Sequence, residues 1–329
     1  MATALVTGGA GYVGSHACKA LLGAGITPVT FDNLSTGWEE AVRFGPFERG
    51  DLQDRGRIAE ALARWKPDVI LHFAALSLVG EAMADPGRYW RQNIAGAVNL
   101  LDAAVAAGCI PIVFSSTCAV YGDHDGIALD EDTPTQPLNA YGKSKHAIEA
   151  MLADFEAAHG LRSVIFRYFN VAGADPEGQV GEFHRPETHL VPLLLDAIDG
   201  RREALTVHGT DYPTPDGTCI RDYIHVSDLA AAHVLGARHL LDGGTSRVFN
   251  LGTGKGFSVR EVIEEARHVT NRPVPVVFGP RRGGDAASLV SGSTRAEAEL
   301  GWRPVRSNMR DMIADAWRWH QSGGYGKPG

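Results

Sequence analysis

The sequence predicts an α/β protein with a doubly wound parallel sheet and a smaller C-terminal α/β unit. Three observations carry this prediction: short apolar runs alternate with helical patterns, glycines cluster directly after the first run, and loops become frequent after Asn170. Runs that are apolar on both faces are typical of parallel strands covered by helices on both sides. We therefore expect buried strands at residues 4–6, 28–31, 68–75, 111–116 and 163–169.

Beyond Asn170 the pattern indicates a second, smaller domain. A loop-rich stretch there leads into an amphipathic helical pattern over 190–202. We expect a first domain over residues 1–175, to which a segment about 219–253 returns, and a second domain over 176–329.

The composition limits what the chain binds. Its 31 basic and 39 acidic side chains give a formal charge of −8, and the basic residues are scattered, so nucleic acid is not an expected partner. No apolar run approaches the roughly 20 residues that a bilayer requires and no secretory leader is recognisable, so we expect a cytoplasmic protein without membrane contact. Its 4 cysteines form no C-x-x-C pair, which indicates reduced thiols.

The stretch VTGGAGYVGSH combines the end of the first strand, a glycine-rich turn and the start of a helix. Backbone N–H groups and the helix dipole point into such a turn, which suits a pyrophosphate. We expect Gly8 to permit the tight turn, Gly11 to let phosphate approach the backbone, and Gly14 to let the helix pack on the sheet. The spacing G-x-x-G-x-x-G is Rossmann-like, although glycines at a strand-to-helix turn can also be purely structural.

Acidic residues follow the next two predicted strands. Asp32 ends the second strand, where a carboxylate accepts hydrogen bonds from both ribose hydroxyls of an adenosine and repels a 2′-phosphate. This favours NAD over NADP as the cofactor. Asp51 follows the third strand and is a candidate for the adenine amino group, with a helix N-cap as the equally weighted alternative.

A tyrosine and a lysine occupy one face of a later predicted helix. In NAYGKSKHAIEAML, Tyr141 and Lys145 stand at i and i+4, so an ammonium group lies beside a phenol. Lowering a tyrosine pKa from about 10 to about 7 needs roughly 4 kcal/mol, which a cation at ~4 Å just supplies at an effective dielectric of ~20. We expect Tyr141 to act as a general base near the hydroxyls of residues 115–117, which end another strand. The alternative is an inert pair on an exposed helix face.

A series of ordered motifs runs along nearly the whole chain: VTGGAGYVGSH, FDNLSTG, GDL, HFAALSLVGE, FSSTCAVYGD, YGKSK, RYFNVAGADP, DGTCIRDYIHV, NLGTGKGFSV and GPRRGGD. Together they resemble the extended short-chain dehydrogenase/reductase family, and within it the UDP-glucose 4-epimerases. The resemblance implies reversible C4 epimerisation of a UDP-sugar, UDP-glucose and UDP-galactose foremost, through a transient 4-keto sugar and tightly bound NAD. It also implies a homodimer, formed by the helices near 86–106 and 139–158.

The resemblance gives catalytic roles to three residues. Tyr141 would remove the proton of the sugar's 4′-hydroxyl, and Thr117 would hydrogen-bond the same oxygen. Lys145 would lower the pKa of Tyr141 and bind the nicotinamide ribose.

The resemblance also implies contact residues for cofactor and substrate. For NAD these are Gly8, Gly11, Tyr12, Val13, Gly14, Asp32, Asn33, Asp51, Leu52, Phe73, Ala74, Ala75, Asn93, Ser115, Tyr141, Lys145 and Tyr168. For the UDP-sugar they are Thr117, Tyr141, Asn170, His189, Leu190, Thr206, His208, Arg221, Tyr223, Arg282 and Asp285. The two arginines are expected at the diphosphate, with surface ion pairs as the alternative, and Tyr223 has core packing as its alternative.

Some positions depart from the pattern of the family. Ser77 stands where many members have a lysine that contacts a cofactor phosphate, while His189 and His208 stand where an asparagine and an aromatic ring are common. Imidazole can replace either by hydrogen bonding or stacking. Leu289 matches a position near the sugar's 2′ substituent, and its size and apolar character predict a preference for sugars without an acetamido group.

Metal-ligating side chains occur at His184, Glu187 and His189. Their spacing is irregular and hydride transfer through NAD needs no Lewis acid, so no metal is expected.

Three other functions compete with this interpretation. A UDP-pentose or UDP-uronate 4-epimerase would share most of the contacts. A nucleotide-sugar 4,6-dehydratase needs an extra acid and base directly after the threonine, where this chain has Cys118 and Ala119. A non-catalytic NAD-binding module would not need Thr117, Tyr141 and Lys145.

Overall fold

A computed structural model describes residues 2–124, 126–282 and 286–326. Within these ranges the strands are β1 (Thr3–Thr7), β2 (Thr27–Asp32), β3 (Phe47–Arg49), β4 (Val69–His72), β5 (Ile112–Ser115), β6 (Ser163–Tyr168), β7 (Asn170–Ala172), β8 (Leu205–His208), β9 (Ile220–His225), β10 (Arg247–Leu251), β11 (Gly256–Ser258), β12 (Val276–Gly279) and β13 (Ser288–Leu289). The α-helices are α1 (Tyr12–Gly23), α2 (Arg55–Trp65), α3 (Val79–Ala84), α4 (Pro86–Tyr89), α5 (Gly96–Ala106), α6 (Ala140–His159), α7 (Leu190–Ile198), α8 (Val226–Leu241), α9 (Val259–Thr270), α10 (Arg295–Leu300) and α11 (Met309–Gln321). None of these described helices is both long enough and apolar enough to cross a bilayer.

The large sheet has the order β10-β6-β5-β4-β1-β2-β3, and every neighbouring pair in it is parallel. The predicted doubly wound parallel sheet is therefore confirmed, with its five expected strands at β1, β2, β4, β5 and β6. The strand order reverses between β1 and β4. A crevice forms at such a reversal, outside the carboxyl ends of the strands, and it is where ligands of open sheets bind.

Apolar side chains cover both faces of this sheet. One face carries α1 and α8, whose buried residues pack with Phe166 and Phe249. The other face carries α2, α5 and α6, packed with Phe31 and Phe114. Because both faces are buried, the strands read as continuous apolar runs rather than as alternating patterns.

Short polar signals set the bounds of two helices near the crevice. Asn139 caps α6 by accepting the N–H of Gly142, and Gly160 ends this helix with a φ of +72°. α2 is capped by Asp54, which accepts the N–H of Arg57. The alternative role of Asp51 as a helix N-cap is therefore wrong, because the cap lies three residues further on.

The C-terminal part forms a smaller α/β unit beside the large sheet. There β9 pairs with β7, β11 and β13, and β8 pairs with β12. Leu194, Val262 and Met312 belong to a second core between α7, α9 and α11. Within 219–253, β10 is an edge strand of the large sheet and α8 packs on that sheet, whereas β9 lies in the smaller sheet with β7, β11 and β13. The domain boundaries stay a prediction.

Candidate active site

A cavity of about 490 Å³ opens at the carboxyl ends of β1, β2, β4, β5 and β6. Its wall brings together most of the predicted site: Gly8, Gly11, Tyr12, Val13, Gly14, Asp32, Asn33, Asp51, Leu52, Phe73, Ala74, Ala75, Asn93, Ser115, Thr117, Tyr141, Lys145, Tyr168, Asn170, His189, Leu190, Arg221 and Tyr223. These residues come from both sheets, so folding gathers the motifs into one cleft.

Other predicted substrate contacts do not belong to this wall. Thr206 and His208 lie on β8, where His208 Nδ1 is 3.3 Å from the carbonyl oxygen of Pro280. Arg282 is exposed and does not line the cavity. Asp285 lies outside the described residues. The roles assigned to these positions stay predictions.

The glycine-rich turn has no room for side chains at two of its positions. A Cβ on Gly14 would lie 2.1 Å from the Gly8 carbonyl oxygen. One on Gly8, whose φ is +75°, would lie 2.6 Å from the Ala74 nitrogen. Gly11 differs, because its Cβ would meet only the Gly8 carbonyl oxygen, at 3.3 Å. The fold itself thus requires Gly8 and Gly14, while Gly11 contributes an uncovered backbone to the cavity wall.

Asp32 lies at the end of β2, against this turn. Its Oδ2 accepts the N–H of Ala10 at 3.0 Å, and its Oδ1 accepts the N–H of Leu34 at 2.8 Å. Burial raises the pKa of Asp32, and these hydrogen bonds offset part of the rise. Beside it, Asn33 Nδ2 donates to Asp51 Oδ2 at 2.9 Å, so both acidic residues lie at the same end of the cavity.

This end of the cavity fits a dinucleotide. The helix N-terminus and the glycine backbone suit a pyrophosphate, and the cradle at Gly11 is one that a Cβ would narrow. The buried Asp32 carboxylate suits ribose hydroxyls and repels a 2′-phosphate. The residues present are therefore those that NAD requires.

Asn93 lines the cavity, yet its amide group is used within the protein. Its Oδ1 accepts the N–H of Leu76 at 2.9 Å. Its Nδ2 donates to the Leu76 carbonyl oxygen at 3.1 Å and to Ser144 Oγ at 3.0 Å. Ser144 in turn donates to the Tyr141 carbonyl oxygen at 2.8 Å. Asn93 thus positions the first turn of α6, and its direct contact with a cofactor stays a prediction.

The helix α6 carries Tyr141 and Lys145 to the cavity on one face, as predicted. Burial raises the pKa of Tyr141 above its ordinary value, and a hydrogen bond with Thr117 offsets part of the rise. Burial lowers the pKa of Lys145 to about 7, and Lys145 Nζ donates to the Ser115 carbonyl oxygen at 2.7 Å. The expected lowering of the Tyr141 pKa by Lys145 is not found, because loss of hydration dominates and the ammonium group faces Ser115.

A buried polar network below Lys145 was not predicted from the sequence. The Glu149 carboxylate accepts from Arg167 Nη2 at 2.7 Å and from Ser116 Oγ at 2.5 Å. Arg167 Nη1 also donates to the Tyr121 hydroxyl at 3.0 Å. The Glu149 charge opposes the lowering of the Lys145 pKa by burial. The available signal was the i+4 spacing of Lys145 and Glu149 on one helix face.

Strands β6, β7 and β9 contribute another part of the cavity wall. The Tyr168 hydroxyl lies 2.6 Å from Ser115 Oγ, which ties β6 to β5. Asn170 is exposed at the start of β7, where it is paired with Tyr223 of β9. Tyr223 is buried in the second core and also lines the cavity. Core packing and a place in the wall are therefore both true of Tyr223.

A cluster of two histidines and two glutamates precedes α7. His189 Nδ1 lies 2.5 Å from Glu182 Oε1, and His184 Nδ1 lies 3.4 Å from a carboxylate oxygen of both Glu182 and Glu187. Burial alone would lower the pKa of His184, but these two carboxylates outweigh this effect and raise the pKa to about 10. Burial alone would raise the pKa of Glu182, but the two histidines outweigh this effect and lower the pKa to about 2. Glu182 was not among the predicted residues, although its position two residues before His184 was an available signal.

Two indoles hold the same loop from opposite sides. Trp38 Nε1 donates to the Phe183 carbonyl oxygen at 2.8 Å, and Trp319 Nε1 donates to the Glu182 carbonyl oxygen at 2.9 Å. The backbone N–H of Trp38 donates to Ala10 in the glycine-rich turn at 3.0 Å. Trp38 therefore connects the glycine-rich turn with the loop before α7.

Comparison with protein families decides the assignment. Residues 4–252 match the model of the NAD dependent epimerase/dehydratase family. The chain belongs to this family. It is 51% identical to the UDP-glucose 4-epimerase of Rhizobium leguminosarum bv. trifolii over 97% of each chain. It is 47% identical to the UDP-glucose 4-epimerase of Halalkalibacterium halodurans, over 98% of this chain and 96% of that one.

Solved structures in the NAD dependent epimerase/dehydratase family have the same fold. UDP-glucose 4-epimerase from Brucella ovis in complex with NAD has a TM-score of 0.94 at 46% identity, covering 97% of this chain and 98% of that chain. UDP-glucose 4-epimerase from Bifidobacterium longum in complex with NAD+ and UDP has a TM-score of 0.92 at 35% identity, covering 97% and 98%. The resemblance drawn from the motifs is confirmed, and the cofactor is NAD.

The family name covers two reactions, and the residues after Thr117 distinguish them. Elimination needs an acid and a base beside the threonine. Cys118 follows it here, and burial raises the pKa of this thiol to about 12. Ala119 carries no titratable group. This member of the epimerase/dehydratase family therefore lacks the groups for dehydration at that position.

Proposed function

We propose that the protein interconverts UDP-glucose and UDP-galactose by reversible epimerisation at C4, using tightly bound NAD. The observation that carries the proposal is the convergence of Tyr141, Lys145 and Thr117 at the cleft where the glycine-rich turn also ends. The curated relatives named as UDP-glucose 4-epimerases match over nearly their full length. When bound, NAD accepts the hydride from C4 of the sugar and returns it to the opposite face of the 4-keto sugar.

Tyr141 and Thr117 handle the proton in this proposal. The Tyr141 phenolate takes the proton of the sugar's C4 hydroxyl as general base, and the phenol formed in this way gives the proton back as general acid. Thr117, which is hydrogen-bonded to Tyr141, orients the same oxygen. Burial opposes the phenolate, so an added positive charge must stabilise it in the working complex. Lys145, held by Ser115 at the floor of the cleft, supplies that charge when it turns toward the phenol.

Binding is divided between the two ends of the cleft. We assign the adenosine and pyrophosphate of NAD to Gly8–Gly14 and Asp32, and the nicotinamide end to Lys145 and Tyr168. The UDP-sugar is assigned to the opposite end, with the following residues as its contacts: Asn170, His189, Leu190, Thr206, His208, Arg221, Tyr223, Arg282 and Asp285.

The test uses purified protein with no NAD or NADP added. UDP-galactose is supplied, and UDP-glucose is measured by a coupled dehydrogenase after the protein has been removed, so that the bound cofactor alone drives the first step. We expect UDP-glucose to form and heat-denatured protein to release NAD rather than NADP. Absence of epimerisation, with NAD present, would contradict the proposal. A panel containing UDP-pentoses and UDP-uronates ranks the competing epimerase activities by kcat/KM.

We also propose a homodimer formed by the helices near 86–106 and 139–158. Large apolar side chains are exposed beside α6, at Met83, Trp90 and Leu138. Light scattering during gel filtration should give twice the chain mass, and Met83→Asp should shift it toward the monomer. A monomeric wild-type protein would contradict this proposal.

We also propose that the division between the two domains lies at residue 175. The protein is further proposed to act in the cytoplasm, because this compartment keeps thiols reduced.

A further inference from the structure

The cluster before α7 offers one donor atom from each of four residues. These are one carboxylate oxygen each from Glu182 and Glu187 and one ring nitrogen each from His184 and His189, all within 4.8 Å of one another. Glu182 is 6% exposed at its side chain, so its charge needs a partner inside the protein. The loop that carries Glu182 is fixed by Trp38 and Trp319, which makes the arrangement preorganised.

The spacing around His184 fits a tetrahedral cation better than it fits hydrogen bonds. Zinc binds imidazole nitrogen and carboxylate oxygen at about 2.0–2.2 Å, so neighbouring ligands of a tetrahedral site lie about 3.4 Å apart. His184 Nδ1 lies 3.4 Å from Glu182 and 3.4 Å from Glu187, beyond a good hydrogen bond. This nitrogen is a buried atom without a hydrogen-bond partner. It is directed at both carboxylates at the separation that a shared cation requires.

The remaining donor needs little movement to complete the site. His189 Nδ1 lies 3.9 Å from Glu187 and 2.5 Å from Glu182. Rotation of the half-exposed His189 ring would lengthen the distance from Nδ1 to Glu182 and shorten the distance to Glu187. The two imidazoles release their protons when a cation binds, since a metal ligand must be deprotonated. Two carboxylates and two neutral imidazoles then carry a total charge of −2, which one divalent cation balances.

We propose that Glu182, His184, Glu187 and His189 bind one divalent first-row transition cation of the zinc class. Mixed imidazole and carboxylate donors suit Zn²⁺ and Co²⁺ rather than Mg²⁺, which prefers oxygen ligands and retained waters. The site takes no part in hydride transfer. Because Glu182, His184 and His189 line the cleft, an occupied site withdraws the His189 imidazole from the UDP-sugar end. This second consequence rests on the proposed function, whereas cation binding does not.

The test is a Zn²⁺ titration of the purified protein with its bound NAD, in competition with a chromophoric zinc indicator. We expect one Zn²⁺ per chain. His184→Asn and Glu187→Gln should each weaken the affinity at least tenfold, since each removes one ligand. Glu264→Gln, which changes an exposed glutamate on α9, is the matched control and should leave the affinity unchanged. Retention of NAD and an unchanged thermal transition show that each variant is folded.

Cobalt(II) identifies the donors, and epimerase kinetics test the consequence separately. We expect the d–d absorption of a tetrahedral site without thiolate-to-metal charge transfer. A thiolate band, sub-stoichiometric binding, or equal affinity in all variants overturns the site.

With the site established, Zn²⁺ should inhibit competitively against the UDP-sugar in wild type and at least tenfold more weakly in Glu187→Gln. Inhibition of equal strength in both would overturn the link to the cleft while leaving the binding result intact.

Discussion

The two ends of the cleft are built in different ways. The dinucleotide end uses backbone from one strand-helix-strand segment, and its key residues Gly8, Gly14 and Asp32 contact one another directly or through the turn. The end that we assign to the UDP-sugar, called the UDP-sugar end below, has side chains that are remote in sequence, such as His189 before α7 and Arg221 on β9. The first end is therefore encoded locally and tolerates little change. The second is assembled by the tertiary fold, so individual side chains can tune it.

Tyr141→Phe should separate chemistry from binding most strongly. Removing the hydroxyl takes away the proposed general base, so kcat should fall by about 100-fold or more. NAD content should stay near the wild-type level, because the glycine-rich turn and Asp32 are unchanged and Tyr141 loses only its hydroxyl. Initial rates with UDP-galactose measure the first effect and nucleotide released on denaturation measures the second. Thr117→Ala should cost less, and a Phe variant that keeps over about a tenth of the wild-type rate would remove Tyr141 from the base role.

Gly14→Ala and Gly11→Ala should break the dinucleotide end in two distinct ways. The Cβ at position 14 would lie 2.1 Å from the Gly8 carbonyl oxygen, so we expect a loss of about 1–3 kcal/mol in the free energy of unfolding. Gly11 has a φ of −83°, which alanine adopts readily, so its variant should keep its stability and lose bound NAD. Denaturant unfolding and NAD content are measured for both. Equal destabilisation by the two substitutions would show that Gly11 is needed by the fold rather than by the cofactor.

Leu289→Ser should sharpen the comparison at the UDP-sugar end. Leu289 lines the cavity on β13 and offers no partner to an acetamido group. Leaving an amide unpaired costs about 1–3 kcal/mol, so wild type should favour UDP-galactose over UDP-N-acetylgalactosamine by roughly 5- to 150-fold in kcat/KM. The variant should narrow this ratio without losing NAD. Equal specificity constants in the wild type would exclude Leu289 as the gate.

Mild acid should destabilise the fold through His233, a histidine of α8 that is buried against the large sheet. His233 is buried against Phe73 and Phe166, and burial lowers its pKa to about 4. Since the unfolded chain binds this proton from about pH 6.5 downward, stability falls as pH drops from 6.5 toward 4, by up to about 1.4 kcal/mol per pH unit. His184, with its pKa raised to about 10, keeps its full contribution below pH 6.5.

Unfolding free energies at pH 7 and pH 5 measure this effect. His233→Phe should reduce the loss between the two pH values, and His268→Asn, at an exposed position, should not. An unchanged pH dependence in His233→Phe would assign the acid sensitivity to other buried groups, of which His72, with its pKa lowered to about 3 by burial, is the next candidate.

Local motifs predicted the fold and the dinucleotide end from sequence. A glycine turn, an acidic strand end and an i,i+4 pair each depend on neighbours a few residues away, and Gly8, Asp32 and Tyr141 lie where the motifs put them. The electrostatics of Tyr141 and Lys145 were not predictable in the same way. The sequence specifies their spacing on the helix, whereas burial and the Ser115 carbonyl, which dominate in the structure, depend on the packing of separate strands.

The UDP-sugar end was less predictable for the same reason. Glu182 lies beside the local group of His184, Glu187 and His189, but its burial and its hydrogen bond from a tryptophan over a hundred residues away in sequence are set by the tertiary fold. Thr206 and His208 were assigned by resemblance to the family, but β8 pairs with β12 in a small separate sheet, and neither residue lines the cavity wall. Motif matching supplies the residue types, and only the tertiary arrangement says which of them meet.

The paired indoles at the loop before α7 constrain how a substrate can enter. Trp38 belongs to the half that carries the glycine-rich turn and Trp319 to the C-terminal half, and they donate to successive carbonyl oxygens, those of Phe183 and Glu182. Separating the two halves would break the hydrogen bond from Trp38 to Phe183 and the stacking of Trp38 on Tyr325, both of which join one half to the other. The two halves are therefore expected to stay together through every turnover, so that UDP-sugars enter and leave without a large opening between them.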